Sequence, residues 1–136
     1  MTNDDVFAFD SRSTLAPSDA DRGVAGVLHL ATIALSVFTA GVLDIIVPAV
    51  AYVAFAHKSA FLRSHIREQL NFQLTLLIAG VVAVVFSVVT LGAGMVVAIP
   101  VWIFLCLVDL VCSIKAALKA RDGETYEFPF ALNIIR

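Results

Sequence analysis

The sequence predicts an all-α integral membrane protein with four transmembrane helices and an amphipathic interfacial connector between the second and third. Three observations predict it. The 136 residues are 60% hydrophobic and only 15% charged, with a mean hydropathy of +0.96, whereas soluble domains hold about 45–50% apolar residues. The apolar residues gather in runs long enough to cross a hydrocarbon core about 30 Å thick. All nine Lys and Arg residues fall in segments that four crossings would leave on one side.

The elements follow in order. Residues 1–22 are polar and acid-rich, with Asp4, Asp5, Asp10, Asp19 and Asp21 against Arg12 and Arg22. They carry no basic, apolar and small-residue succession of a secretory signal and read as a disordered cytoplasmic tail. Asp19 or Asp21 is placed to cap the helix that follows. The four-helix domain then covers 23–120. Its first apolar run, 23–56, would measure about 51 Å as one helix, too long for one crossing. Gly41, Asp44 and Pro48 supply a break, because Pro is suited to the first turn of a new helix. The spans are therefore 24–41 and a shorter 45–57, the latter below the usual length of about 17–25 residues.

The third span, 69–91, enters through a polar cluster. The fourth, 94–118, follows the small turn Leu91-Gly92-Ala93-Gly94 and carries Pro100 early, where it can kink the helix. Gly123 fits the left-handed position that ends a helix. Residues 121–136 form a cytoplasmic tail on the membrane surface. Between the second and third spans, Phe61, Leu62, Ile66 and Leu70 recur at helical spacing with Lys58, Arg63 and Arg67 on other faces. That pattern gives either a surface helix that grips anionic lipid or a partner, or a loop whose charges only set topology. With four spans both termini lie in the cytoplasm; a three-span arrangement would leave the two N-terminal arginines on the opposite side.

Candidate functional groups are the polar residues inside or beside the spans. Asp109 is the sharpest, since a charged Asp at a helix centre costs about 2.5–3.5 kcal/mol on insertion scales and such residues face a bundle interior or water. It is read as a structural pair with Arg67, His29 or the third-span amides, against a proton- or cation-responsive group. Glu68, Asn71 and Thr75 share one helix face, and Gln69 and Gln73 pair at i, i+4; such side chains either hold helices together in lipid or form a polar vestibule for a substrate or a docking segment. His29, His57 and His65 would make a pH-sensitive cluster if they met in space; they are scattered in sequence, so a metal site is not expected. Asp44 marks the outer turn. Cys106 and Cys112 read as buried apolar thiols. Ser113, Ala116, Ala117 and Ala120 let helices approach closely.

The stretch Phe61, His65, Arg67, Glu68, Gln69, Leu70, Asn71, Phe72 and Gln73 resembles the Tic-twenty-like family of small bacterial membrane proteins, related to a chloroplast inner-envelope import component. His29-Leu30, Pro48 and the ending from Lys115 through Phe128-Pro129-Phe130 agree with it, while Arg63, Ser64, Ile66 and Tyr52 depart from its pattern. The resemblance implies a four-helix protein of the bacterial inner membrane. It also implies a role in membrane protein translocation, insertion or assembly through the cytoplasmic entrance. The alternative is a small oligomeric channel or carrier with a polar path near Asp109. No nucleophile elbow, zinc-protease motif or phosphate loop is visible, so no enzyme activity and no cofactor are expected. The expected partners are the lipid bilayer, other membrane proteins and further copies of the chain, and not nucleic acid. The site residues taken forward are His29, His65, Arg67, Glu68, Asn71, Gln73 and Asp109.

Overall fold

The structure, a computed structural model, describes residues 16–135. It is all-α, with four helices: α1 (Asp19–Thr39), α2 (Ile46–Phe55), α3 (Ala60–Val89) and α4 (Met95–Asp122). Most of the predicted N-terminal tail lies outside the described residues, and its last residues, 19–22, already belong to α1. The cap of α1 is Ser18, whose hydroxyl accepts from the Asp21 amide at 3.1 Å, rather than either aspartate. Asp19 and Asp21 occupy the first turn, where they suit the positive end of the helix dipole.

α1, α3 and α4 are long and apolar enough to cross a membrane. α2 is not: its ten residues reach about 15 Å, half a hydrocarbon core. The expectation of four transmembrane helices is thus met as four helices, of which three have spanning length. The physical reason is the turn between α1 and α2. Ala40 and Gly41 both take positive φ, 51° and 81°, which reverses the chain at once. Asp44 and Pro48 are then buried, so α2 starts well inside the bundle and runs back toward the start of α1.

α1 and α4 pack antiparallel as the most extensive helix pair. Both present the same spacing to the interior: Ala25, Leu28, His29, Thr32 and Ser36 on α1, and Asp109, Cys112, Ser113, Ala116 and Ala120 on α4. The small members of these faces permit close approach. Ala117, grouped with them in the sequence, is only half-buried. α3 runs parallel to α1. Its first turns bury Leu62 and Ile66 against Ala25, Leu28, Ala51, Ala56 and Ala120. The predicted interfacial connector is therefore continuous with α3, and its apolar stripe packs on protein. Beyond Gly80 and Trp102 only the α3–α4 hairpin continues, closed by a turn in which Leu91 and Gly92 take positive φ.

α4 ends where expected, at Gly123 with φ 77°, and the Glu124 amide donates to the Lys119 carbonyl at 2.9 Å. The residues after it do not form a detached tail. Phe128 is buried and stacks on Phe72, ring centroids 4.7 Å apart. The Leu132 amide donates to Thr75 Oγ1 at 2.9 Å. The Ile135 amide donates to Asn71 Oδ1 at 2.8 Å while Asn71 Nδ2 donates back to the Ile135 carbonyl at 3.0 Å.

Candidate functional site: two buried polar layers

The interior of the bundle is polar at two levels. The first joins α1, α3 and the C-terminal segment. His29 Nδ1 meets Gln69 Oε1 at 2.8 Å, His29 Nε2 meets His65 Nδ1 at 3.0 Å, and His65 Nε2 meets the Glu124 carbonyl at 3.0 Å. A carbonyl only accepts, so His65 Nε2 carries hydrogen, and the Nδ1 of a neutral His65 accepts from His29 Nε2–H. The Nδ1 of a neutral His29 must then accept as well. Turning the Gln69 amide so that its NH₂ donates satisfies this, and it uses the Gln69 nitrogen that otherwise has no partner. The alternative, a His29 cation, would sit fully buried with no carboxylate bonded to it. Phe61 closes the layer edge-on to His65 at 4.7 Å.

The second layer lies deeper, around Asp109. Its Oδ1 accepts from Gln73 Nε2 at 2.9 Å and from the Ser113 hydroxyl at 3.3 Å, and its Oδ2 accepts from the Ser36 hydroxyl at 3.2 Å. Asp44, fully buried, faces the same carboxyl; no N–H or hydroxyl donor among the described residues reaches its oxygens, so the contact between the two acids is a hydrogen bond that one of them supplies with its proton. The turn beside it is fixed by α4: Trp102 Nε1 donates to the Ala40 carbonyl at 3.0 Å, and the Cys106 thiol reaches the same oxygen at 3.5 Å. Cys112 is a buried free thiol and Cys106 a partly exposed one. Outside the spans, burial first and then the Cys112 thiol push the Tyr126 phenol up to about 12. Tyr126 therefore stays neutral and packs edge-on to Phe128 at 5.0 Å.

The predicted site residues divide among several places. His29 and His65 meet, while His57 is exposed. Gln69 and Gln73, one turn apart, supply one amide to each layer. Asn71 and Thr75, on the neighbouring face, hold the C-terminal segment. Arg67 and Glu68 form a long 3.8 Å ion pair at the rim of the bundle and join neither layer. Asp109 pairs with a third-span amide, as one of the structural alternatives has it. Asp44 lies in the α1–α2 turn, with its carboxyl fully buried, a burial that sequence reasoning missed. Among the described residues no group of three or more His, Cys, Asp and Glu side chains is placed to hold a metal.

No curated protein and no solved structure matches the chain. A family pattern does, over residues 20–135, which is the whole bundle and the C-terminal segment. It is not that of the Tic-twenty-like proteins, and it overturns that resemblance together with the protein-transport role and the channel alternative drawn beside it. The entrance residues that suggested the resemblance have a local explanation: Leu70, Asn71, Phe72 and Gln73 are all buried and serve contacts within the chain. Asp109 likewise is closed in by three donors rather than set along a polar path. By this match the chain belongs to the MamF/MmsF family, the magnetosome magnetite crystal formation protein family.

Proposed function

We propose that the protein is a non-catalytic, multi-pass protein of the bacterial cytoplasmic membrane that takes part in crystal formation at a membrane, the process its family description names. The observation that carries this reading is the extent of the family match, which takes in both buried polar layers and the C-terminal segment that closes one of them. In this reading α1 and α2 form a re-entrant hairpin, α3 and α4 cross fully, and both termini are cytoplasmic. The distribution of cations supports that orientation. Arg22, Lys58, Arg63, Arg67, Lys115, Lys119 and Arg121 are every Lys and Arg among the described residues, and they cluster where α1 and α3 begin and α4 ends. The bilayer, other membrane proteins and further copies of the chain are the partners, and no cofactor is required.

Two measurements test the reading. Single cysteines at Ala93 and Lys58, in a variant lacking Cys106 and Cys112, are labelled with an impermeant thiol reagent. Position 93 is expected to react in intact cells and position 58 only after permeabilisation; reaction of both from one side sinks the topology. Expression in a magnetosome-forming bacterium that lacks its own family member is expected to shift crystal size toward normal in electron micrographs. Unchanged crystals, with the protein present in the membrane, would remove the functional reading.

A further inference from the structure

The C-terminal segment runs down the side of the bundle rather than over its end. It starts at Glu124, whose carbonyl meets His65 Nε2 at 3.0 Å. It descends to Leu132, whose amide donates to Thr75 Oγ1 at 2.9 Å. His65 and Thr75 are about 15 Å apart along α3. The segment then bends back to Ile135, held by Asn71, about 6 Å nearer the start of α3. α4 fixes the same depth independently. Phe128 packs with Phe72, Cys112 and Ala116, and Ala131 and Val108 pack against that cluster. Val108 lies about 10 Å further into α4 than Lys115, the deepest cation of that helix. The α4 side chains at this level that face outward are Leu107 and Val111, 56% and 50% exposed, which meet hydrocarbon if α4 crosses the bilayer.

We propose that residues 128–135 form a re-entrant anchor in the cytoplasmic leaflet, with Phe130, Leu132 and Ile134 against lipid acyl chains. Three further observations select that occupant. Phe130 is 87% exposed and takes φ 66°, a rare conformation for a bulky residue that here leaves its ring outside the bundle; Leu132 and Ile134 are half exposed beside it. The backbone is nonetheless closed. The Ala131 amide donates to the Phe128 carbonyl at 3.4 Å and the Ile134 amide to the Leu132 carbonyl at 2.8 Å, while Leu132 and Ile135 use Thr75 and Asn71. Water would satisfy such amides without help, whereas hydrocarbon tolerates irregular backbone only with partners inside the protein. Finally, residues 128–135 hold no charged side chain, so they offer acyl chains an apolar surface and anionic headgroups no cation. Asn133, exposed at the bend, keeps the depth to the boundary of headgroups and acyl chains, about 5–10 Å in. The anchor also steadies the segment whose Glu124 carbonyl completes the His29–His65 layer.

The test uses the wild-type full-length protein in nanodiscs of phosphatidylcholine with a diazirine on one acyl chain, and maps the light-induced adducts by mass spectrometry. Adducts are expected on residues 128–135 as well as on the α3–α4 hairpin, with the same yield when phosphatidylglycerol is added. The proposal rests on α3 and α4 crossing the bilayer, and the hairpin checks that separately. A labelled hairpin with an unlabelled 128–135 overturns the anchor alone; no adducts on either sinks the crossing and the anchor together. Adducts on 128–135 only in the presence of phosphatidylglycerol would mean headgroup binding and overturn it too. Nitroxide labels at Phe130→Cys and Glu127→Cys, in the variant lacking Cys106 and Cys112, give a second readout. Position 130 is expected to collide preferentially with oxygen, and the exposed position 127 with a water-soluble nickel chelate. Nickel access at 130 places the segment in water and overturns the proposal. Protection of 130 from both reagents identifies a second copy of the chain as its cover, and overturns it as well. Neither readout involves crystal formation, so this proposal and the crystal-size experiment fail separately.

Discussion

The two ends of this bundle solve opposite problems. Over the length of α1, four helices and the C-terminal segment enclose His29, His65, Gln69, Asn71, Gln73, Asp44 and Asp109, all buried. At the other end the α3–α4 hairpin buries almost nothing, and Val82, Val84, Val88, Leu91 and Val96 are each more than half exposed. In water that division would be inside out, since charged and amide side chains are rarely buried and large apolar patches are rarely left open. In lipid it is the stable arrangement: apolar surface needs no cover, and polar groups must find partners inside. The hairpin is thus specified by its solvent, and the opposite end by its internal hydrogen bonds.

The largest expected effect breaks the comparison on the hairpin side. Val82 sits near the middle of the apolar part of α3 and is 61% exposed. Val82→Lys should cost about 2.5–3.5 kcal/mol of insertion if that face meets hydrocarbon, but within about 0.5 kcal/mol if it meets water, as for ordinary surface substitutions. The fraction of α3 inserted in microsomal membranes measures it. Insertion equal to wild type would remove the lipid-facing assignment of the hairpin.

A smaller effect is expected where the two regions join. A Cβ on Gly80 would lie 2.7 Å from the Trp102 ring, and that ring is held by its hydrogen bond to the Ala40 carbonyl. Gly80→Val forces the indole to move or the helices to part, at about 1–3 kcal/mol for overpacking. The quenching and emission maximum of the single tryptophan report the displacement, and denaturation in mixed micelles reports the cost. The result sharpens the comparison, because loss of the Trp102 bond should also loosen the turn that carries Asp44, while leaving the His29–His65 layer intact.

The same contrast explains what could be read from the sequence. The hairpin was legible because its signal is composition: the apolar runs around 69–91 and 94–118 and the turn at Gly92 and Gly94 lie where expected. Gly123 as the end of α4 is legible from local backbone chemistry, and the shared face of Gln69 and Gln73 from helical spacing. The polar end was not, because its contacts are long-range. Nothing near Asp44 says that a reversal at Ala40–Gly41 will turn the chain back at depth and set its carboxyl against Asp109. Nothing in 126–135 says that the backbone of Ile135 will pair with Asn71. The family resemblance rests on the Leu70–Gln73 stretch, whose side chains are buried in contacts within the chain itself.

That burial leads to the smallest of the expected effects. Asn71 exchanges two hydrogen bonds with the Ile135 backbone, at 3.0 and 2.8 Å, mimicking a pair of strand residues on a helix. Asn71→Ala removes both and should release the end of the C-terminal segment at a cost of about 1–2 kcal/mol. Asn71→Asp keeps the acceptor for the Ile135 amide and sets a carboxylate oxygen against the Ile135 carbonyl, so it should not restore attachment. Amide exchange at Leu132 and Ile135 is expected to accelerate in both variants. Exchange in α3 beyond Gly80 should stay as in wild type, because the hairpin draws its stability from lipid and not from this strap. Faster exchange there would mean that the two ends are coupled, and the division between a solvent-specified and a hydrogen-bond-specified region would have to be given up.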